Sequence, residues 1–102
     1  MAERDIEARL VKGVRKLGGS CFKWVSPGRR GVPDRIVLLP HGAIAFVEVK
    51  APDGEVSGLQ ELTMREIARL GHNVFVLWSE EDVDQFLAKC GEAVDFMRRT
   101  TQ

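Results

Sequence analysis

The stretch GVPDRIVLLPHGAIAFVEVK, residues 31–50, decides how this chain folds. Residues 34–39 and 43–50 each read as a β-strand, and Pro40, His41 and Gly42 between them make a turn. Successive strand side chains point to opposite faces. Asp34, Ile36 and Leu38 therefore share one face of the first strand, and Ile44, Phe46, Glu48 and Lys50 share one face of the second. Each strand is apolar along its middle and charged at the same end of the hairpin.

Whether those charges meet depends on the turn. A two-residue turn at His41-Gly42 pairs Pro40 with Ala43 and sets Asp34 against Val49, with the two carboxylates on opposite faces. A three-residue turn pairs Leu39 with Ala43, so that Asp34 faces Glu48, Ile36 faces Phe46 and Leu38 faces Ile44. A slip of one residue flips every side chain, so the two registers exclude each other. Gly42 suits the left-handed position of a three-residue loop, and that register is the expected one.

In that register two carboxylates stand close, beside an amine, at the rim of an apolar sheet. Bare carboxylates repel, and one takes up a proton unless a cation lies between them. Hard divalent ions such as Mg²⁺ bind through one or two carboxylates plus water and phosphate oxygens. Lys50 beside such an ion reaches a water or a phosphate oxygen, which is the recipe for metal-assisted phosphodiester hydrolysis. The competing reading is a surface hairpin ending in an exposed ion pair, worth ~0–1 kcal/mol. Pro33-Asp34 at hairpin distance from Glu48-Val49-Lys50, behind a glycine-rich loop, is a far more specific combination than Glu-x-Lys alone.

Outward from the hairpin, residues 3–17 read as a helix through Ile6, Leu10, Val14 and Leu17, stopped by Gly18-Gly19. Residues 21–25 form a short strand, and residues 26–31 a loop by composition. A second helix spans residues 57–70 and ends at Gly71. Its apolar face is Leu59, Thr63, Met64, Ile67 and Leu70, and the amide of Gln60 falls inside that face. Residues 73–78 read as a strand whose run VFVLW looks buried on both faces. Ser79 caps a third helix, with Asp82 three residues on. Val83, Phe86, Leu87 and Cys90 line it, and a tail from Glu92 carries Val94, Phe96 and Met97. The order is α-β-β-β-α-β-α, with a central mixed sheet flanked by helices in the α/β class and a C-terminal helix.

Pro33-Asp34 followed by Glu48-Val49-Lys50 resembles the PD-(D/E)xK nuclease superfamily, with its restriction-endonuclease-like core. The fuller string, residues 31–35, then residues 47–52 and Gln60, is similar to the virus-type replication-repair nuclease (VRR-NUC) family, small stand-alone members of which are phage-encoded. The resemblance implies that Asp34 and Glu48 bind the metal, Mg²⁺ or Mn²⁺, with the Val49 carbonyl as a further ligand. It implies that Lys50 positions water and stabilises phosphate charge, that Gln60 supports the site, and that Glu7 on the first helix makes a water-mediated or supporting contact. It further implies a dimeric endonuclease that cuts branched DNA such as four-way (Holliday) junctions, leaving 5′-phosphate and 3′-hydroxyl ends. The alternatives are a repair- or restriction-type nuclease on linear or flapped DNA, and a nucleic-acid-binding module that does not cut.

Arg29 and Arg30, with Lys23 nearby, lie just ahead of the site and suit phosphate contacts. Trp24 and Phe22 flank Lys23; Trp24 is expected in the core, and His41 and His72 in structural or loop positions. The 102 residues, 15 basic and 15 acidic, suggest one domain over 1–102 and argue against a protein that coats nucleic acid by bulk charge, while leaving open DNA binding through a local basic patch and a bound metal. Cys21 and Cys90 stand apart without a Cys-x-x-Cys pattern, so a zinc site is not expected and two free thiols in a reducing cytoplasm, prokaryotic or phage-infected, are. No apolar run approaches ~20 residues, so no membrane span is expected.

Overall fold

Four strands and three helices follow one another in the order that the hydrophobic pattern predicts. The structure, a computed structural model, describes residues 2–100. The elements are α1 (Glu3–Lys16), β1 (Ser20–Lys23), β2 (Arg35–Leu38), β3 (Ile44–Val49), α2 (Gly58–Arg69), β4 (Val74–Leu77) and α3 (Glu80–Thr100). The sheet order is β1-β2-β3-β4, antiparallel in its first two pairings and parallel between β3 and β4. The parallel pair needs a crossover, and α2 supplies it.

The hairpin adopts the three-residue register. Ile36 pairs with Phe46 and Leu38 with Ile44, and the Leu39 N–H closes the loop on the Ala43 carbonyl at 2.8 Å. Pro40–Gly42 forms a single 3-10 turn in which both His41 (φ 64°) and Gly42 (φ 84°) are left-handed. The sequence pointed to Gly42 alone; His41 also adopts this conformation, which is uncommon for a side chain but tolerated by histidine.

One sheet face carries the core. Val37, Leu39, Ala45, Val47, Val49 and Leu77 point from it against Ile6, Leu10 and Val14 of α1 and Val83, Phe86 and Cys90 of α3. The helices stop where glycine allows. Gly18 (φ 84°) and Gly71 (φ 91°) follow α1 and α2, and the Gly19 N–H to the Val14 carbonyl (3.0 Å) and the His72 N–H to the Ile67 carbonyl (3.2 Å) complete two Schellman caps.

Three expectations need correction. β4 is an edge strand, so Val74, Phe75 and Val76 are only half-buried and Leu77 alone is fully covered. The tail from Glu92 is not separate, since α3 runs unbroken to Thr100, with Val94 against the core and Phe96 exposed. On α2 the structure buries Thr63 and Met64 but leaves Leu59, Leu62 and Leu70 exposed, because the second sheet face is covered only in part. Phe22, Leu38 and Ile44 stay exposed on that face. Trp24 is half-buried there, its ring 5.4 Å from that of Phe46, and His72 lies edge-on to the same ring at 5.9 Å.

The loop before the hairpin is held to α2. Gly31 (φ 85°) brings its backbone so near α2 that an added Cβ would meet the Leu59 carbonyl oxygen at 2.6 Å, and the Thr63 hydroxyl donates to the Arg30 carbonyl at 3.4 Å. Gly31→Ala meets both a backbone clash and a left-handed φ, so it is expected to cost about 2 kcal/mol of stability. Urea unfolding checks this, and a loss below ~0.5 kcal/mol would contradict it.

Candidate active site

Beyond Arg35 and Val47 the backbone ladder between β2 and β3 stops, and side chains continue it. The Asp34 N–H donates to Glu48 Oε1 at 3.1 Å, and the Val49 N–H donates to Asp34 Oδ2 at 3.1 Å. Each carboxylate thus takes the place of a main-chain carbonyl of the opposite strand. Pro33, fully buried and lacking an N–H, precedes this exchange and ends any further pairing from its side. The exchange places Asp34 and Glu48 on the same side of the hairpin.

Glu48 is 1% exposed, yet both its oxygens are satisfied. Oε2 accepts from the Gln60 amide at 2.7 Å and from the Lys50 ammonium at 3.2 Å. Among the described residues no hydrogen bond or ion pair engages Asp34 Oδ1. Asp34 therefore keeps an open oxygen at the hairpin mouth, where the Lys50 side chain that pairs with Glu48 is 18% exposed.

Burial, and then the neighbouring Asp34 charge, push the Glu48 carboxyl above its ordinary value of 4.5, against the opposing pull of Lys50 and the Asp34 N–H. A carboxyl raised in the folded state stabilises the fold most when protonated. Its contribution is complete below its unfolded pKa and is lost as pH rises through its folded one. Without a divalent ion, the Glu48 carboxyl carbon should therefore titrate above 4.5 by NMR, with folding stability falling across that titration. A midpoint at or below 4.5 would contradict this environment.

Gln60 is placed by its own helix. Ser57 caps α2: its hydroxyl accepts from the Gln60 N–H (3.1 Å), and its N–H donates to Gln60 Oε1 (3.0 Å). With Oε1 engaged, the amide nitrogen is left facing Glu48. The Ser-x-x-Gln pattern at residues 57–60 is a capping-box signature, so the sequence carries a signal for Ser57 as orienter of Gln60 beyond the helix start it marks. On α3 the expected box is shifted: the Ser79 hydroxyl accepts from the Asp82 N–H (3.0 Å), but the Asp82 carboxylate reaches back to the Trp78 N–H (2.9 Å).

The remaining candidates are placed differently. Glu7 sits on the other sheet face, where it accepts from Arg35 Nε at 2.8 Å; the same guanidinium donates to the Cys21 carbonyl at 3.2 Å. Among the described residues nothing bonds Glu7 to Asp34 or Glu48, and no group of three or more His, Cys, Asp or Glu gathers to hold a metal. Arg29 pairs with Glu66 of α2 at 2.6 Å, Arg30 is exposed, and Lys23 is exposed at the end of β1 opposite Arg35. Cys21 and Cys90 are free thiols, and burial pushes Cys90 up to about 11, which makes it inert.

A four-stranded mixed sheet with a carboxylate pair and a lysine at the mouth of its hairpin has the architecture of an α/β nuclease, and comparison with known proteins agrees. The VRR-NUC domain model matches residues 4–81. "Putative nuclease p44" of Acyrthosiphon pisum secondary endosymbiont phage 1 is 55% identical over 82 residues, which span 78% of this chain and 85% of that protein. A solved structure described as a VRR_NUC domain superposes with a TM-score of 0.80 at 31% identity, covering 86% of this chain and 97% of that one. The chain belongs to the VRR-NUC family and is a nuclease. Among the described residues no helix is long and apolar enough to cross a membrane.

Proposed function

We propose that the hairpin mouth is the centre of an Mg²⁺- or Mn²⁺-dependent endonuclease that cuts branched DNA, four-way junctions above all, and works as a homodimer in a prokaryotic or phage-infected cytoplasm. The observation that carries the metal reading is the division of labour between the two acids. Glu48 is buried and satisfied by three donors, Lys50 among them, while Asp34, across the hairpin from it, keeps one oxygen open. A donor set of two carboxylates and a backbone carbonyl fits a hard ion that retains waters, and it does not fit zinc.

Asp34 and Glu48, with the Val49 carbonyl, would hold the ion. When bound, it would neutralise charge on the phosphate and lower the pKa of a water. Lys50, anchored by Glu48, has further N–H donors to offer to a phosphate oxygen as charge develops there, and it can orient the attacking water. The water gives up a proton to solvent as its oxygen bonds to phosphorus, the P–O3′ bond breaks, and the 3′-oxygen takes a proton from solvent to leave as a hydroxyl. Gln60 keeps the Glu48 carboxylate from turning, because its own amide is fixed by the α2 cap.

Dimerisation is supported by the large apolar side chains left uncovered: Phe22, Leu38 and Ile44 on the open sheet face, Leu59, Leu62 and Leu70 on α2, and Phe96 on α3. One site nicks one strand, and a four-way junction offers two strands related by approximate two-fold symmetry, which a two-fold dimer would match. Light scattering with a cleavage panel of duplex, flap, splayed and four-way substrates tests this. We expect a dimer at micromolar concentration that cuts the junction at least ~10-fold faster than linear duplex. A monomer, or equal rates on duplex and junction, would defeat the branched-DNA reading and leave a nuclease of broader taste.

A further inference from the structure

We propose that the outward flank of α1 is a second nucleic-acid-binding surface, a track for the phosphate backbone of the DNA arm that leaves the candidate site. This rests on the nuclease reading and adds to it a surface on α1, whereas the loop of Arg29 and Arg30 is tied to α2. Arg4, Glu7, Lys12 and Arg15 of α1 line an open groove of ≈ 510 Å³ together with Arg35 of β2. Its floor is Ala8 and Val11, small enough that nothing bulky blocks approach.

A basic helix flank is often only solvated, so the pairing of its charges decides. The single acid of the groove, Glu7, is already engaged by Arg35 at 2.8 Å. Arg4, Lys12 and Arg15 are exposed and, among the described residues, make no ion pair. Three positive charges are therefore unopposed in one concavity. Four arginines elsewhere are paired, Arg9 on the other side of α1 by Asp84 and Glu80, Arg29 by Glu66, Arg65 by Glu61 and Arg98 by Asp95, while Arg30, Arg69 and Arg99 are exposed outside the groove. A chain of zero net charge has thus kept this flank positive.

Position and spacing agree. Arg4 and Arg15 are eleven residues apart, about 16 Å along a helix, which spans roughly five base-pair steps of a duplex lying along it at ~3.4 Å of axis each. Arg35 directly follows Asp34, and its side chain points to the α1 side of β2 while Asp34 serves the α2 side. A backbone leaving the candidate site can pass over this end of the sheet, by Arg35 and its cross-strand partner Lys23, onto α1. Flexible cations that touch only phosphates supply affinity and orientation without sequence preference, as a nuclease that recognises DNA shape requires.

The test compares two triple variants of the whole chain: Arg4→Ala/Lys12→Ala/Arg15→Ala on α1, and Lys89→Ala/Arg98→Ala/Arg99→Ala on α3 as an equal-charge control. Binding of a labelled 20-base-pair duplex is read by fluorescence anisotropy in EDTA over a series of salt concentrations. Losing three phosphate contacts should lower the slope of log K against log salt by about 2–3 and weaken binding roughly 100-fold near 0.1 M salt. The α3 control should stay within about threefold of the unmodified protein. In Mg²⁺ the α1 variant should show a raised KM with kcat kept within about twofold. Lys12→Ala alone, which removes one exposed side chain, should give about one third of the slope change and guards against misfolding of the triple variant. Unchanged affinity in the α1 variant, equal loss in both triples, or a fall in kcat with KM unchanged would each overturn the track. An unmodified protein that binds through α1 yet never cuts would support the track and sink the nuclease reading instead.

Discussion

Asp34→Asn should slow DNA cleavage in Mg²⁺ by at least about 10³-fold while leaving the protein folded. The asparagine oxygen can still accept from the Val49 N–H, so the cross-strand exchange survives. What disappears is the charge on the one carboxylate with an open oxygen. Losing a hard anionic ligand at a phosphoryl-transfer centre removes several kcal/mol of charge stabilisation, and each 1.36 kcal/mol is tenfold in rate. Asp34→Ala is the poorer test, since it also strands the Val49 N–H. Single-turnover cleavage of a labelled junction, with circular dichroism as a check on folding, reads both properties. An Asp34→Asn enzyme that cuts within tenfold of the parent rate would remove Asp34 from the centre.

The second large effect is on stability. Glu48→Ala leaves three donors without their acceptor: the Asp34 N–H, the Gln60 amide and the Lys50 ammonium. Removing one partner from a buried pair typically costs 3–5 kcal/mol, mostly because the other charge is left stranded. Lys50 keeps some access to water, so about 3 kcal/mol is expected here. Adding Lys50→Ala should then recover part of that loss, because the stranded ammonium is gone. Urea unfolding of the two single variants and the double one gives the coupling directly. Losses that simply add would show that the two side chains do not act as a unit.

These expectations depend on a register that the sequence already contained. Only an odd-length turn aligns Ile36 with Phe46 and Leu38 with Ile44, and that alignment also brings Asp34 opposite Glu48. The periodic helices and their glycine stops were legible for the same reason: the signal is local and repeats. What stayed hidden is non-local. The Glu7–Arg35 pair joins residues on different layers, and no spacing rule in the chain announces it. It places Glu7 on the face opposite Glu48, where an acid at the edge of a helix stripe gave no hint of its partner. The half-covered β4 was misread because an apolar run records composition and does not say which edge of a sheet the strand will occupy. Ser57 is a different case, since its capping-box pattern was plain in the sequence. Gln60 serves both the α2 cap and Glu48, and the hydrogen bonds show that the two roles belong to one arrangement.

The central claim is that Asp34 and Glu48 form one site for a hard divalent ion, and calorimetric titration with Mn²⁺ in the absence of DNA tests it most directly. The unmodified protein should bind one or two ions per chain with a saturable heat, and Asp34→Asn should abolish that heat without unfolding the chain. Binding of Mn²⁺ by the Asp34→Asn protein with unchanged affinity and stoichiometry would contradict the claim.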